Sequence, residues 1–495
     1  MVFSLLLHQV ALKPIERIKL MLARTQLVSN KIADDEEHPL QAQIEMKVRL
    51  ELKHDKDFRR ALGRSRLSDV TRQDMVEFHL HKFRKQMRYV NANSTFYRDR
   101  FKALGLRPED IVTYEDLLKV PVTEPSDLAE DPYGFLCVSQ TEVMRAFTTT
   151  GTSGQRKRLF YTQRDVLNIV DSIASAIRNV GMTGNDTLHI MFPAVSAWDP
   201  SLMLDSACKV AGLRSKVCSD IDVEKQLQAM RDSQAKVIIG LTSFIYRITV
   251  LARDKHDLRA FGVKAIICSS EPLSEAVRHE IEAAWGCKAL TQYGMTEMGL
   301  ATAIECFAQD GIHLDEGNYL CECIDPATGK HQPDRVEGEL IWTSLNMQGS
   351  PLLRYRSYDL SCYISPPCGC GYTTVGKMGK PKGRINGETK IGLGDKIWPS
   401  MFDEAVLGVS GVLGYQVIID KAGFRDHLTF NVEYHGDASG VPAAIKDKLM
   451  ALDEIKIGLD SDLIDPLVVE ILPERKDFVL KQKTIVDNRP LFDKK

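Results

Sequence analysis

A chain of 495 residues, 44% hydrophobic and 26% charged, has ordinary globular composition and room for about two to four domains. Its formal net charge is −3, with basic residues scattered among acidic ones, which excludes the concentrated positive field that nucleic-acid binding needs. Eleven cysteines without a secretory signal point to a reducing, cytoplasmic setting, where thiols serve as core residues, metal ligands or catalytic groups.

In chain order, the first stretch is MVFSLLLHQVALKPIERIKLMLARTQL, which His8, Lys13 and Lys19 interrupt too often for it to span a bilayer. It reads as an amphipathic helix packed on the body or on a second subunit, with a peripheral membrane contact as the alternative. Residues 1–75, rich in Leu, Lys, Arg, Glu and Gln, are expected to form two or three helices of an N-terminal extension. Helical patterning continues from 76, and DIVTYEDLLKVPVTEPSDLAED supplies short helices with Asp and Thr caps. FTTTGTSGQRKRLFYT, residues 147–162, then places five hydroxyl side chains and two glycines in eight residues, followed by Arg156, Lys157 and Arg158.

Val166, Ile169, Val170, Ile173, Ala174, Ile177 and Val180 recur at steps of three and four, which predicts an amphipathic helix. Next, the apolar runs LHIMF, AKVIIG, VKAIICS and CKALTQ alternate with helical patterns, as in an α/β core of mostly parallel strands. Beyond 300, EGELIWTSLN and YDLSCYIS indicate a β-rich subdomain. After the glycine-rich GKPKGRING, read as a hinge, come GYQVIID, HLTFNVEY, VPAAIKDKLMAL and PLVVEIL: two strands, a helix and a strand, a small α+β module. The expected division is a helical extension over 1–75, a large domain over 76–383 and a mobile lid over 384–495.

The hydroxyl loop has a chemical reading. Hydroxyls and the backbone N–H groups freed by Gly151 and Gly154 can surround phosphate oxygens, with the cations behind them balancing charge. A Walker loop would need Lys and then Ser or Thr after its last glycine, and Gln155 stands there instead. Taken alone, the loop is equally a polar turn.

Further motifs follow it in order: SSEPLS (269–274), QYGMTE (292–297), LLRYRSYDL (352–360) and LKQKTIVDNR (480–489). The set resembles the acyl-adenylating superfamily, and within it the phenylacetate–CoA ligase-like branch, over residues 80–490. That resemblance implies a large AMP-binding domain with a small mobile C-terminal domain. It also implies Thr149, Thr150, Gly151, Thr152, Ser153, Gly154 and Lys157 on the ATP phosphates, with Arg156 where the family usually has proline. Ser270, Glu271 and Pro272 would line the nucleotide site. Tyr293, followed by Gly294, would stack on adenine, Thr296 would touch the α-phosphate and Glu297 would hold Mg2+, a hard cation suited to carboxylate oxygen. Asp359 would accept both ribose hydroxyls, although Tyr358 replaces the family's glycine before it. Arg384, with Asn386 near the hinge, would contact ribose or phosphate. Lys481 is favoured over Lys483 as the late lysine that meets charge developing at the α-phosphate, with Leu480 in place of the usual glycine.

Cys306, His313, Cys368 and Cys370 make a Cys3His set suited to Zn2+, and some members of the branch bind zinc at a similar pattern. The competing quartet draws on Cys321 and Cys323, and plain core thiols are a third reading. The activity implied is that of an ATP- and Mg2+-dependent, AMP-forming acid–CoA ligase with CoA as co-substrate and a structural zinc. Tyr161, Phe192, Pro193, Trp198, Phe244 and Tyr246 are candidates for a pocket favouring an aromatic or arylacetic acid, each equally suited to the core. The alternatives are an adenylating enzyme serving another thiol, an amine or a hydroxyl, and a non-catalytic relative. Branch relatives are often dimers, so a homodimer is an expectation too.

Overall fold

The computed structural model describes residues 25–33, 36–149, 156–193, 200–392, 394–478 and 484–490. Most of the expected N-terminal amphipathic helix, the loop residues Thr150–Gly154, Trp198 and both candidate lysines, Lys481 and Lys483, lie outside them. The chain has a mixed α/β fold in two compact units. One comprises residues 1–186, 202–215 and 290–380, and the other 187–201, 216–289 and 381–495.

In the first unit, the helix Pro39–His54 starts on a proline, which pre-sets the first-turn φ, and buries Leu40, Ile44, Val48 and Leu52 at helical spacing. It lies on the helix Gln163–Asn179, where the buried carboxylate of Asp171 accepts from Gln43 at 2.6 Å and from the backbone of Ser29 at 2.8 Å. Helix Gln163–Asn179 matches the periodicity of its apolar residues and opens on a capping box between Thr162 and Asp165. Asp165 also accepts the backbone N–H groups of Gln348 and Gly349 at 2.7 and 2.8 Å, which pins this helix start to a distant turn. The strands Val143–Thr148 and Arg158–Thr162 form an antiparallel hairpin with Phe147 opposite Leu159, so the hydroxyl loop joins paired strands. Between residues 290 and 380 the strand ladders are antiparallel: Tyr319–Ile324, Gly338–Ser344 and Tyr355–Ser361 make one, and Ala303–Glu305, Ile312–Leu314 and Lys377–Met378 belong to another.

The second unit holds the parallel core foreseen from alternating runs: Thr187–Met191, Ala235–Leu241 and Ala265–Ser269 pair side by side, with Thr242–Arg253 and Glu275–Trp285 among the helices. Its C-terminal part is a four-stranded sheet in the order Val468–Leu472, Arg425–Tyr434, Val412–Ala422, Ile485–Asp487. Val417, Ile419, Leu428, Phe430 and Val432 bury one face against Phe402, Val406, Ile445 and Leu449. The sequence pattern yields three of these strands. The fourth, Ile485–Asp487, is too short for periodicity and is fixed by parallel pairing with Val417–Ile419. In the same unit the Glu404 carboxylate accepts the backbone N–H groups of Glu275 and Ala276 at 2.6 and 2.8 Å, satisfying two orphan donors at a helix start. No described helix is long and apolar enough to cross a membrane.

Candidate functional site

The hairpin and the turn after strand Lys288–Tyr293 bring residues of three sequence motifs together in the first unit. Thr149 closes the base of the hydroxyl loop: its N–H donates to the Lys157 carbonyl at 2.9 Å, and its hydroxyl accepts from Lys157 N–H at 3.3 Å. Lys157 then points its ammonium at the Glu297 carboxylate, 2.6 Å away. Glu297 is only 6% exposed, in a single tight turn, Thr296–Met298. A carboxylate removed from water to that degree needs compensation, which the Lys157 ammonium supplies here.

Gly294 enables that turn, because a Cβ there would sit 1.6 Å from the Leu300 carbonyl oxygen. The Tyr161 hydroxyl donates to the Thr296 carbonyl, which holds the turn from the hairpin side. Tyr293 lies parallel to Trp342, with ring centroids 5.6 Å apart at 17°, and its hydroxyl donates to Asp359 at 2.6 Å. Lys157, Tyr293, Thr296, Glu297 and Asp359, separated by up to 202 positions in sequence, therefore occupy one unit.

Tyr358 has a structural explanation. It sits at φ +61°, the left-handed region where glycine is at ease, which accounts for the family's usual residue. Here the tyrosine is held there by its hydroxyl donating to Glu124 at 2.7 Å and by the Arg356 guanidinium 4.9 Å above its ring. Arg356 is itself paired with the buried Glu339 at 2.6 Å.

The second unit carries Ser270, Glu271, Pro272 and Arg384. Glu271 accepts Ser243 N–H at 2.8 Å and so caps the helix Thr242–Arg253, while Ser270 adopts φ +68°. The Arg384 carbonyl accepts from Trp398 Nε1 at 3.1 Å. Of the acyl-pocket candidates, Phe244 packs edge-on to Phe478 at 5.0 Å and the Tyr246 hydroxyl donates to the Leu407 carbonyl at 3.2 Å. These contacts are core packing, the plainer of the two readings.

Cys306, His313, Cys368 and Cys370 converge, with all four candidate ligand atoms within 4.8 Å of one another. A tetrahedral zinc with bonds of about 2.3 Å to sulfur and about 2.0 Å to nitrogen requires S–S edges of about 3.8 Å and S–N edges of about 3.5 Å. The Cys306–Cys368 sulfurs are 3.9 Å apart, and Cys370 Sγ lies 3.3 Å from His313 Nε2. Both edges are close to those of such a site, and the donor set of three thiols and an imidazole suits the ion. Burial opposes ionisation of the Cys368 thiol, but hydrogen bonds with His313 and Cys370 draw it below its ordinary range. Lys377, wholly buried, donates to the Asp310 carboxylate at 2.8 Å and to Cys368 Sγ at 3.4 Å. Cys321 and Cys323 lie outside this group: Cys323 Sγ contacts the carbonyls of Val336 and Ser361 at 3.7 and 3.6 Å. The competing quartet is not assembled.

Glu51, Asp55 and His81 form a second convergent group. Lys85 reaches both carboxylates, at 2.7 and 3.0 Å, and Lys82 reaches Glu51 at 3.4 Å. Burial would raise Glu51, yet His81 and these ammonium groups hold it well below the carboxylate range. Their charge is already met, and the group reads as an ion-pair network.

Against known proteins, residues 101–349 match the family model described as AMP-binding enzyme, half of the chain. The chain belongs to the AMP-binding enzymes. It is 30% identical over 377 residues to the phenylacetate-coenzyme A ligase of Pseudomonas putida, covering 74% of this chain and 83% of that one. The corresponding ligase of Escherichia coli is 28% identical over 353 residues, 70% and 79% of the two chains. Among solved structures, a 2-hydroxyisobutyryl-CoA ligase in the postadenylation state superposes with a TM-score of 0.74 at 21% identity, over 85% of this AMP-binding enzyme and 90% of that chain. That last likeness concerns the fold.

Two features of the site were missed by sequence reasoning. Tyr355 lies inside LLRYRSYDL, and strand alternation from Asp359 puts it on the same buried face. Lys377 gave no signal, since an isolated lysine usually lies at the surface.

Proposed function

We propose that this ATP-dependent, AMP-forming acid–CoA ligase activates an aromatic or arylacetic carboxylic acid in the cytoplasm. The observation that carries the reading is the gathering of Lys157, Glu297, Tyr293 and Asp359 around one turn: a cation, a metal-binding carboxylate, a flat ring and a diol acceptor. The relatives named above supply the preference for an aryl acid.

A substrate carboxylate oxygen attacks the α-phosphorus of ATP, the bond to pyrophosphate breaks, and an acyl adenylate remains. The CoA sulfur then attacks the activated carbonyl, the bond to AMP breaks, and the thiol proton passes to solvent. Lys157 and the loop Thr149–Gly154 bind phosphate oxygens, so Lys157 must release Glu297 as nucleotide arrives. Tyr293 lies along adenine, Asp359 accepts from the ribose, and Thr296 contacts the α-phosphate. Ser270, Glu271, Pro272 and Arg384 are the further nucleotide contacts that the motif resemblance implies. Glu297 would hold Mg2+, which neutralises phosphate charge; its pairing with Lys157 at 2.6 Å supports a carboxylate placed to accept a cation. Cys306, His313, Cys368 and Cys370 would hold Zn2+ in a closed, structural site. Residues 384–495 act as a lid carrying Lys481, which supplies positive charge in the adenylation step and then withdraws.

Exchange of labelled pyrophosphate into ATP tests the reading. Benzoate or phenylacetate derivatives should drive exchange without CoA better than acetate or long-chain acids do, and CoA should convert exchange into net AMP release. Lys481→Ala should abolish exchange while sparing thioester formation from a supplied adenylate, with Lys483→Ala as its comparison. Release of ADP instead of AMP would overturn the mechanism.

A further inference from the structure

Tyr355 touches both charged groups at the heart of the site, and nothing in the motif reading gives it a task. Its ring is 2% exposed, on the strand Tyr355–Ser361, directly across the ladder from Trp342. Its hydroxyl lies 3.0 Å from Lys157 Nζ and 3.0 Å from Glu297 Oε1. The direction of both bonds follows from chemistry: an ammonium only donates and a carboxylate only accepts, so the phenol accepts from Lys157 and donates to Glu297. Lys157 Nζ also lies 5.7 Å from the centre of the Tyr355 ring. Tyr355 thus grips both members of an ion pair that has to separate when nucleotide binds.

We propose that Tyr355 is a positioning residue: once Lys157 has left for the phosphates, its hydroxyl continues to hold Glu297 Oε1, presenting the other carboxylate oxygen to the divalent cation. The inference rests on the AMP-forming reading above. The phenol keeps the buried carboxylate from rotating or drawing a replacement partner at the moment its counter-ion departs. A hydrogen bond to an ionised group is strong enough to fix such an orientation. The ring, packed in the ladder, keeps the hydroxyl in place whether or not Lys157 is there.

Tyr355→Phe removes only the hydroxyl and leaves the packed ring. The wild-type protein is first assayed for acid-dependent pyrophosphate exchange, which tests the function by itself. In the variant, the half-saturating free Mg2+ at saturating ATP should rise about ten-fold, the scale of one hydrogen bond to a charged group. The half-saturating acid concentration should stay at its wild-type value. Binding of Mn2+ in the presence of ATP, followed by electron paramagnetic resonance without turnover, should weaken by the same factor. Near-ultraviolet circular dichroism should be unchanged. Wild-type metal dependence in both assays would overturn the proposal, as would equal losses for metal and acid. Exchange that is absent from the wild type, while Mn2+ binding still depends on Tyr355, would sink the functional reading and leave the positioning role standing.

Discussion

Replacing Tyr358 by glycine restores the residue the family usually carries, and the structure allows the cost to be worked out. Relief of the left-handed backbone at φ +61° favours the variant by about 1–2 kcal/mol. Against this stand the hydroxyl bond to Glu124 at 2.7 Å, about 1.5 kcal/mol for a partly exposed charged acceptor, and the stacking of Arg356 at 4.9 Å, about 0.5–1 kcal/mol. Glycine's larger backbone entropy in the unfolded chain adds a further ~0.5 kcal/mol. The net is a destabilisation of about 1 kcal/mol. Tyr358→Phe keeps the strained backbone and the stacked ring but loses the hydroxyl, so it should cost about 1.5 kcal/mol. The telling expectation is that glycine, which deletes the whole side chain, harms the protein no more than phenylalanine does. Urea unfolding followed by tryptophan fluorescence, with wild type and both variants side by side, measures it. A glycine variant more than about 3 kcal/mol below the phenylalanine variant would refute the strain argument, since loss of packing would then dominate.

Protein purified without chelator should contain one zinc per chain by metal analysis, and Cys368→Ser or Cys370→Ser should lower both metal content and thermal stability. Cys321→Ser should retain the metal, because its sulfur lies outside the convergent group. In the C-terminal module, burial raises Asp403 to about 6 despite a 2.7 Å hydrogen bond from Tyr415. The native state therefore binds the extra proton more tightly than the unfolded chain, and stability should fall as pH rises from about 4 to about 6. Asp403→Asn should flatten that dependence and leave the module more stable at pH 7.5 by up to about 3 kcal/mol, read from thermal unfolding at several pH values. An unchanged pH profile would show that Asp403 ionises freely.

Some of this protein is legible along the chain because the information is local. The steps of three and four from Val166 to Val180 are those of a helix with one buried face, and Gln163–Asn179 is that helix. The alternating apolar runs placed the parallel strands within a few residues, since strands buried on both faces must be continuously apolar. Motif order carried the family, because each motif supplies a chemical group that adenylation needs. Other features depend on which distant segments meet. His313 and Cys306 could be grouped with Cys368 and Cys370 or with Cys321 and Cys323 on spacing alone, and the antiparallel pairing of Ile312–Leu314 with Lys377–Met378 helps decide between them. Ile485–Asp487 is a strand only because Val412–Ala422 offers it an unpaired edge. Tyr358 looked like a departure without cause until its φ and its bond to Glu124 were both visible. Tyr355 acquired a role only when Lys157 and Glu297, 198 and 58 positions away, closed on its hydroxyl. Periodicity and motif chemistry are written in neighbouring residues, whereas the pairing of charges and ligands is a property of contacts between segments far apart in the chain, and these exist only once the chain has folded.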